Sequence, residues 1–322
     1  MDDVKEKWTN AINSLTIGAT AADGGSRTDS VTVGGETTLP FLDFEGSIPH
    51  RPVIAFEVLD FLPEEWPDVL KEPYADVLGD PAAWAKKCEQ EYGADLICLK
   101  LRSLHPDWGD TAPEAAPEKV RAILEAVGVP LIIWGCDDAD KDNQALPLCS
   151  QAAAGENCLM GFATEDNYKT LVVSCLADHH KIIAQSPIDI NIAKQVNIMI
   201  SEMGLGLENI VMDPTTGGLG YGIEYTYSIM ERSRLAALGG DKMMAMPFIC
   251  DAGYEGWRAK EAKAPRADFP EWGDEKVRGP LWEAMTAAVL LQAGADILIM
   301  RHPQAAAEVR RQIGELMAGS SE

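Results

Sequence analysis

Eight short apolar runs bounded by turn residues, helical periodicity between them, and connections of unequal length at the two strand ends predict an α/β fold, a TIM (β/α)8 barrel. The runs cover 52–58, 95–101, 130–135, 157–163, 181–186, 209–213, 243–250 and 295–301. Between them, Trp84, Cys88 and Tyr92, then Val196 and Ile200, and after the last run Val309, Ile313 and Leu316, repeat at helical spacing. Two junctions are near copies: Tyr92-Gly93-Ala94-Asp95 and Ala293-Gly294-Ala295-Asp296, each a glycine-closed helix that turns into a buried strand. An open doubly wound sheet would need a phosphate-binding glycine motif at the first strand, and 53–60 has none. The barrel is assigned to 51–322, with 1–50 as an N-terminal extension.

The extremes of composition exclude several functions. A net charge of −24 with no long run of Lys or Arg argues against a nucleic-acid partner. No apolar stretch reaches the roughly 18 to 20 residues of a membrane span, and the N-terminal residues are charged where a signal peptide is apolar, so a cytoplasmic protein is expected. The seven cysteines show no C-x-x-C pair; they read as reduced core residues, and no metal site is expected.

Helix-to-strand links are short, as in Gly128-Val129-Pro130, whereas the strand-to-helix links 59–79, 102–117 and 251–275 are long, so the strand C-termini form the elaborated, ligand-binding face. Trp66, Trp108, Trp257 and Trp272 on these loops either pack them down or anchor a partner. The strand ends offer Glu57, Lys100, Asp137, Thr164, Ser186, Asp189, Asn191, Asp213, Asp251, Arg301 and His302. That set is polar but holds no convincing nucleophile with its base. His179 and His180 fall at a helix end on the opposite face, and His50 and His105 are isolated.

Asp213 either caps the turn after Pro214 or takes part in a site, and Asp189 opens a helix whose dipole favours an acid. The segment from Asp213 through Gly217, Gly218, Gly220 and Gly222 is the most glycine-rich strand-to-helix corner, where backbone is expected to approach a flat ligand or another polypeptide closely. It is neither a P-loop nor a dinucleotide fingerprint.

Arg51-Pro52-Val53-Ile54, Ala153-Ala154-Gly155-Glu156-Asn157, Gly217-Gly218-Leu219-Gly220-Tyr221-Gly222-Ile223-Glu224-Tyr225 and Arg301-His302-Pro303 resemble the small subunit of the corrinoid iron–sulfur protein and its relatives, the delta subunits of the acetyl-CoA decarbonylase/synthase complex. The resemblance runs from about residue 18 to 317. It implies a TIM-barrel subunit that is not itself an enzyme, in a heterodimeric methyl carrier of the reductive acetyl-CoA (Wood–Ljungdahl) pathway. On the same resemblance, a large corrinoid iron–sulfur subunit is expected to supply the iron–sulfur cluster and to share a cobamide with the top of this barrel. The further partners implied are a methyltetrahydrofolate methyltransferase and carbon monoxide dehydrogenase/acetyl-CoA synthase.

No Asp-x-His-x-x-Gly arrangement is present to place a histidine on cobalt, so the cofactor is expected to bind without one. Gly217, Gly218, Gly220 and Tyr221 are expected near the corrin, with Asp213, Asp189, Asn191, Tyr254 and Arg301 as secondary candidates for its amide arms or the partner. Ser30-Val31-Thr32-Val33 suggests a strand that plugs the barrel bottom or pairs with the large subunit. Two rivals stand beside this reading: a pterin-binding TIM-barrel methyltransferase acting on methyltetrahydrofolate through Asp137, Asn191 and Asp213, and a purely supporting assembly subunit.

Overall fold

The structure, a computed structural model, describes residues 5–319. In chain order the extension contributes β1 (Leu15–Ile17) and β2 (Val31–Val33). The barrel follows as β3 (Val53–Leu59), α1 (Asp68–Lys71), α2 (Pro81–Gln90), β4 (Leu96–Lys100), α3 (Ala116–Ala126), β5 (Leu131–Trp134), α4 (Ala139–Ala152), β6 (Leu159–Ala163), α5 (Tyr168–Asp178) and β7 (Lys181–Gln185). It continues with α6 (Ile190–Glu202), β8 (Ile210–Asp213), α7 (Ile223–Leu238), β9 (Phe248–Cys250), α8 (Ala252–Arg258), α9 (Lys260–Lys263), α10 (Glu275–Gln292), β10 (Ala295–Met300) and α11 (Pro303–Met317). β3 to β10 close in sequence order into a parallel barrel, with β10 bonded to β3. The predicted fold class is the one observed.

Local chemistry sets the helix starts. Asp80 accepts from the backbone N–H groups of Ala82 and Ala83 at 3.0 and 3.2 Å with Pro81 in the first turn, so α2 begins with its orphan donors satisfied. The two near-copied junctions also do the same work. Asp95 accepts from Ile54 N at 2.9 Å and Asp296 from Phe248 N at 2.7 Å, so each aspartate clamps the preceding strand of the barrel to its own.

The run at 243–250 is longer than the strand it holds. Asp241 accepts from Met243 N at 3.1 Å and winds Lys242–Met244 into a single 3-10 turn, so β9 starts only at Phe248. The long 251–275 connection contains α8 and α9 rather than irregular chain.

β1 and β2 pair antiparallel, and their inward Leu15, Ile17 and Val33 are buried against the barrel-interior residues Val53, Leu96, Ile132, Leu159, Val211 and Ile297. Asn157 donates to Thr16 O at 2.9 Å, and Gly18 N donates to Asn157 O at 2.8 Å. Arg27, only 4% exposed, bonds Glu156 at 2.8 Å and the carbonyls of Val127 and Leu124 at 2.7 and 2.6 Å. All these anchors lie where helices return to strands, so the hairpin plugs the bottom of the barrel, as one of its two expected roles required.

The seven cysteines are free and buried; burial pushes thiols such as Cys158 up to about 12, which leaves them inert packing groups. No helix among the described residues is long and apolar enough to cross a membrane.

Candidate functional site

At the strand C-termini each barrel strand contributes one inward side chain: Glu57, Lys100, Trp134, Phe162, Gln185 and Asp213 from β3 to β8, and Asp251 and Arg301 from just beyond β9 and β10. Except for Glu57, which is wholly buried beneath them, these residues line an open cavity of about 500 Å3. Its walls include Phe61, Trp66, Trp108 and Tyr254, and Arg102, Asp137 and Arg258 also face it.

One arc of this ring is ionic. Lys100 Nζ lies 2.5 Å from Glu57 and is also paired with Asp251, while Arg301 holds Glu57 from the other side at 2.6 Å. Burial alone would raise the Glu57 carboxyl, but Arg301 and Lys100 outweigh it and hold the group below its ordinary value. Burial also works against the charge on Lys100, and Asp251 and Glu57 more than reverse it, so the amine stays protonated and is no nucleophile. Aromatic faces cover the cations: Lys100 lies 5.2 Å and Arg301 5.1 Å from the Tyr254 ring, and Arg301 lies 4.9 Å from Trp66.

The other arc carries a single ionisable group, Asp213. Trp134 and Phe162 meet with ring centroids 5.5 Å apart, and Gln185 donates to Asp213 at 2.8 Å. Asp213 also accepts from Thr215 N at 3.0 Å; Thr215 has a positive φ of 61° and is fixed there by donating to Ser186 O at 2.7 Å. Burial pushes Asp213 up to about 7, against the hydrogen bonds from Gln185 and Thr215, which lower it.

This raised value has a stability consequence. Between the ordinary value of 3.8 and about 7 the folded chain keeps a proton that the unfolded chain has released, so this group's contribution falls as pH rises through that window. Asp213→Asn is therefore expected to raise stability at pH 8 by on the order of 1–3 kcal/mol and to give no gain at pH 4. Urea unfolding at the two pH values checks this; an equal shift at both would show that charge burial is not the cause.

Behind the ionic arc, Glu283 on α10 accepts from Arg301 N at 2.6 Å, His302 N at 3.0 Å and Trp257 Nε1 at 2.6 Å. Burial pushes its carboxyl up to about 7. It ties the turn after β10 to α8 and so fixes the sides of the cavity that Arg301 and Trp257 provide.

Of the residues named from sequence, Asp213, Tyr254 and Arg301 converge on the cavity. Gly217, Gly218, Gly220 and Tyr221 do not line it. Their loop folds on itself: Tyr221 N and Ile223 N both donate to Gly218 O, and a Cβ on Gly217 would stand 2.5 Å from Gly222 O. Gly220 and Gly222 have φ of 78° and 97°. The turn alone thus requires the glycines, before any ligand is considered. Tyr221 is 55% exposed and donates to Glu261 at 2.8 Å.

Asp189 caps α6, accepting from Asn191 N at 2.7 Å, and Asn191 is exposed on its first turn; neither lines the cavity. Asp137, Asn191 and Asp213 therefore do not meet in one cluster. His302 caps α11 by accepting from Gln304 N at 3.2 Å, and His180 is buried at the barrel bottom. Trp66 and Trp257 are packing residues, whereas Trp108 stands on the rim, 43% exposed.

The family model described as the CO dehydrogenase/acetyl-CoA synthase delta subunit matches residues 15–309, plug hairpin and barrel together. The chain belongs to this delta-subunit family. Among its relatives, the acetyl-CoA decarbonylase/synthase complex subunit delta of Archaeoglobus fulgidus is 36% identical over 323 residues, covering 98% of this chain and 71% of that protein. The subunit delta of Methanopyrus kandleri is 38% identical over 295 residues, covering 91% and 72%. Solved structures of Xanthomonas albilineans dihydropteroate synthase share the fold. One with 4-aminobenzoic acid has a TM-score of 0.56 at 13% identity, covering 87% of this chain and 97% of that one. Another, with 7,8-dihydropteroate, has a TM-score of 0.55 at 14% identity, covering 87% and 99%.

Within this delta-subunit barrel, Trp134, Phe162, Gln185 and Glu283 were not reached by sequence reasoning. The first three are the last inward positions of their strands, and counting alternate residues from buried Ile132 and Ile183 would have found Trp134 and Gln185. Glu283 had no signal, because a lone acid on a long helix reads as solvated.

Proposed function

We propose that this chain is the barrel subunit of a corrinoid methyl carrier and covers a cobamide that a larger iron–sulfur subunit holds from the other side. The supporting observation is the shape of the strand-end face. An open cavity of about 500 Å3 sits above a packed interior. A corrin with its side arms is too large to enter such a cavity but can lie across its mouth.

The groups at that mouth suit a neutral, amide-bearing macrocycle. Trp108 and Tyr254 offer apolar contact, Gln185 and Asp213 offer hydrogen bonds, and Lys100 and Arg301 are already neutralised by Glu57 and Asp251. When bound, the cobamide supplies the centre that accepts a methyl group. The chain's own residues exclude water above that centre and orient the ring. The pair takes the methyl group from methyltetrahydrofolate through a separate methyltransferase and hands it to acetyl-CoA synthase. On this reading the chain performs no chemistry alone; the one amine of the ring, Lys100, is held in ion pairs with Glu57 and Asp251.

Purifying the chain alone, the large subunit alone and the pair, then recording visible spectra, tests the reading. A corrinoid spectrum retained fully only in the pair is expected. Trp108→Ala with Tyr254→Ala should weaken cobamide retention by the pair at least tenfold, a loss of about 1.4 kcal/mol, without changing the far-UV circular dichroism. Full cobamide retention by the large subunit in the absence of this chain would sink it.

A further inference from the structure

The underside of the barrel sets two carboxylates against one cation. Arg234 on α7 donates to Gly294 O at 2.7 Å, pairs with Asp296 near the start of β10 and approaches Glu36 of the N-terminal extension at 3.5 Å. Glu36, Asp296 and Arg234 are only 9%, 4% and 3% exposed. With both acids ionised, the cluster would bury a net negative charge, which is costly in a site shut off from water.

No second cation is at hand among the described residues. The three side chains surround a gap of about 20 Å3, room for one water at most, and its other walls, from Thr38 and Phe41 to Leu291, carry no charge. β9 adds only the Cys250 thiol, which burial holds well above its ordinary value and so uncharged. On α7 the neighbouring Glu231 and Arg232 are exposed. In the extension, His50 packs at Gly35 and does not line the gap, and Asp43, Glu45 and Arg51 do not line it either.

The cluster is also the polar tie between residues 36–50 and the barrel. Among the described residues, the other polar bonds of this segment stay within the extension, as where Thr37 N donates to Ser47 O at 3.0 Å and Trp8 Nε1 to Glu45 at 3.3 Å. Glu36 Oε2 and Arg234 Nη1 make no hydrogen bond. Glu36 is thus held through charge, and its grip depends on how many charges the cluster carries.

We propose that Glu36 and Asp296 share one proton beside Arg234, and that this proton latches residues 36–50 onto the base of the barrel. With it in place, one carboxylate balances one guanidinium and a carboxyl O–H fills the contact between the two acids. When it leaves, two carboxylates compete for Arg234, and Glu36, the one without a hydrogen bond on Oε2, is released. Burial, and after it the Glu36 carboxyl, raise Asp296 well above its ordinary value against the pull of Arg234. The folded chain therefore keeps a proton that the unfolded chain gives up near 3.8, so the latch is firm in acid and weakens as pH rises through the raised value. It stands apart from the covering role at the other end of the barrel.

Backbone amide exchange of the full chain between pH 5 and pH 9, corrected for the intrinsic chemical rate, is the test. Ile97 N, which donates to Pro130 O at 3.1 Å in the barrel wall, is the internal reference. Relative to it, Thr37 N and Ile12 N, the latter bonded to Glu36 O at 2.9 Å, should exchange at least about tenfold faster at pH 9 than at pH 5. Glu36→Gln offers Asp296 a permanent N–H in place of the proton, so the same amides should change by less than about twofold. Asp296→Asn, which balances the cluster from the other side, should give the same flat profile and serves if Glu36→Gln folds poorly. A flat profile in the parent overturns the proposal. So does an undiminished pH response in the variants, which would move the titration to another group such as His50. An extension that is loose at every pH in both variants overturns it as well, because the contact would then require two acids rather than one proton.

Discussion

Lys100→Met is expected to destabilise the chain by about 3–5 kcal/mol, the usual cost of breaking a buried ion pair from one side. Lys100 Nζ is the cation between Glu57, which is fully buried, and Asp251. Methionine preserves most of the volume, so the loss is electrostatic rather than a cavity. Arg301 remains on Glu57, which leaves Asp251 as the carboxylate without a cation. Adding Asp251→Asn should therefore recover a substantial part of the loss, and a double-mutant cycle by urea unfolding measures the coupling. Additive losses would show that the ionic arc does not act as a unit.

The second large effect lies at the opposite end. Arg234 on α7, 3% exposed, pairs with Asp296, approaches Glu36 at 3.5 Å, donates to Gly294 O at 2.7 Å and lies over the Phe248 ring. Arg234→Met leaves two buried carboxylates facing each other and should cost about 3–5 kcal/mol at pH 8. Burial already raises Asp296 well above its ordinary value, with Arg234 as the principal opposing influence. Without that cation the folded-state value rises further, so the folded chain takes up a proton more readily than the unfolded one. The loss should thus shrink on going from pH 8 to pH 5. Thermal unfolding of both proteins across that range is the measurement, and a loss independent of pH would point to packing instead.

Much of the fold was legible because a parallel barrel buries its strands on both faces, which writes them as apolar runs whatever the helices do. Only 243–250 misled, because Met243 and Met244 are apolar for packing while Asp241 bends them out of the sheet. The site was half legible. Charged strand ends such as Asp213 and Arg301 announce themselves, whereas Trp134, Phe162 and Gln185 look like ordinary strand residues until the inward phase is known. The glycine corner stands outside the cavity lining. Its composition reflects a turn closing on its own carbonyls, and sequence cannot tell that from a surface cleared for a ligand.

The hairpin beneath the barrel turns the central cavity into a dead-end well. With Leu15, Ile17 and Val33 sealing the base and apolar side chains filling the shaft above them, nothing passes through. Whatever enters at the top leaves by the same opening. Any lid laid there governs arrival and escape together, so occupancy of the well and seating of the lid are obliged to follow one another in order.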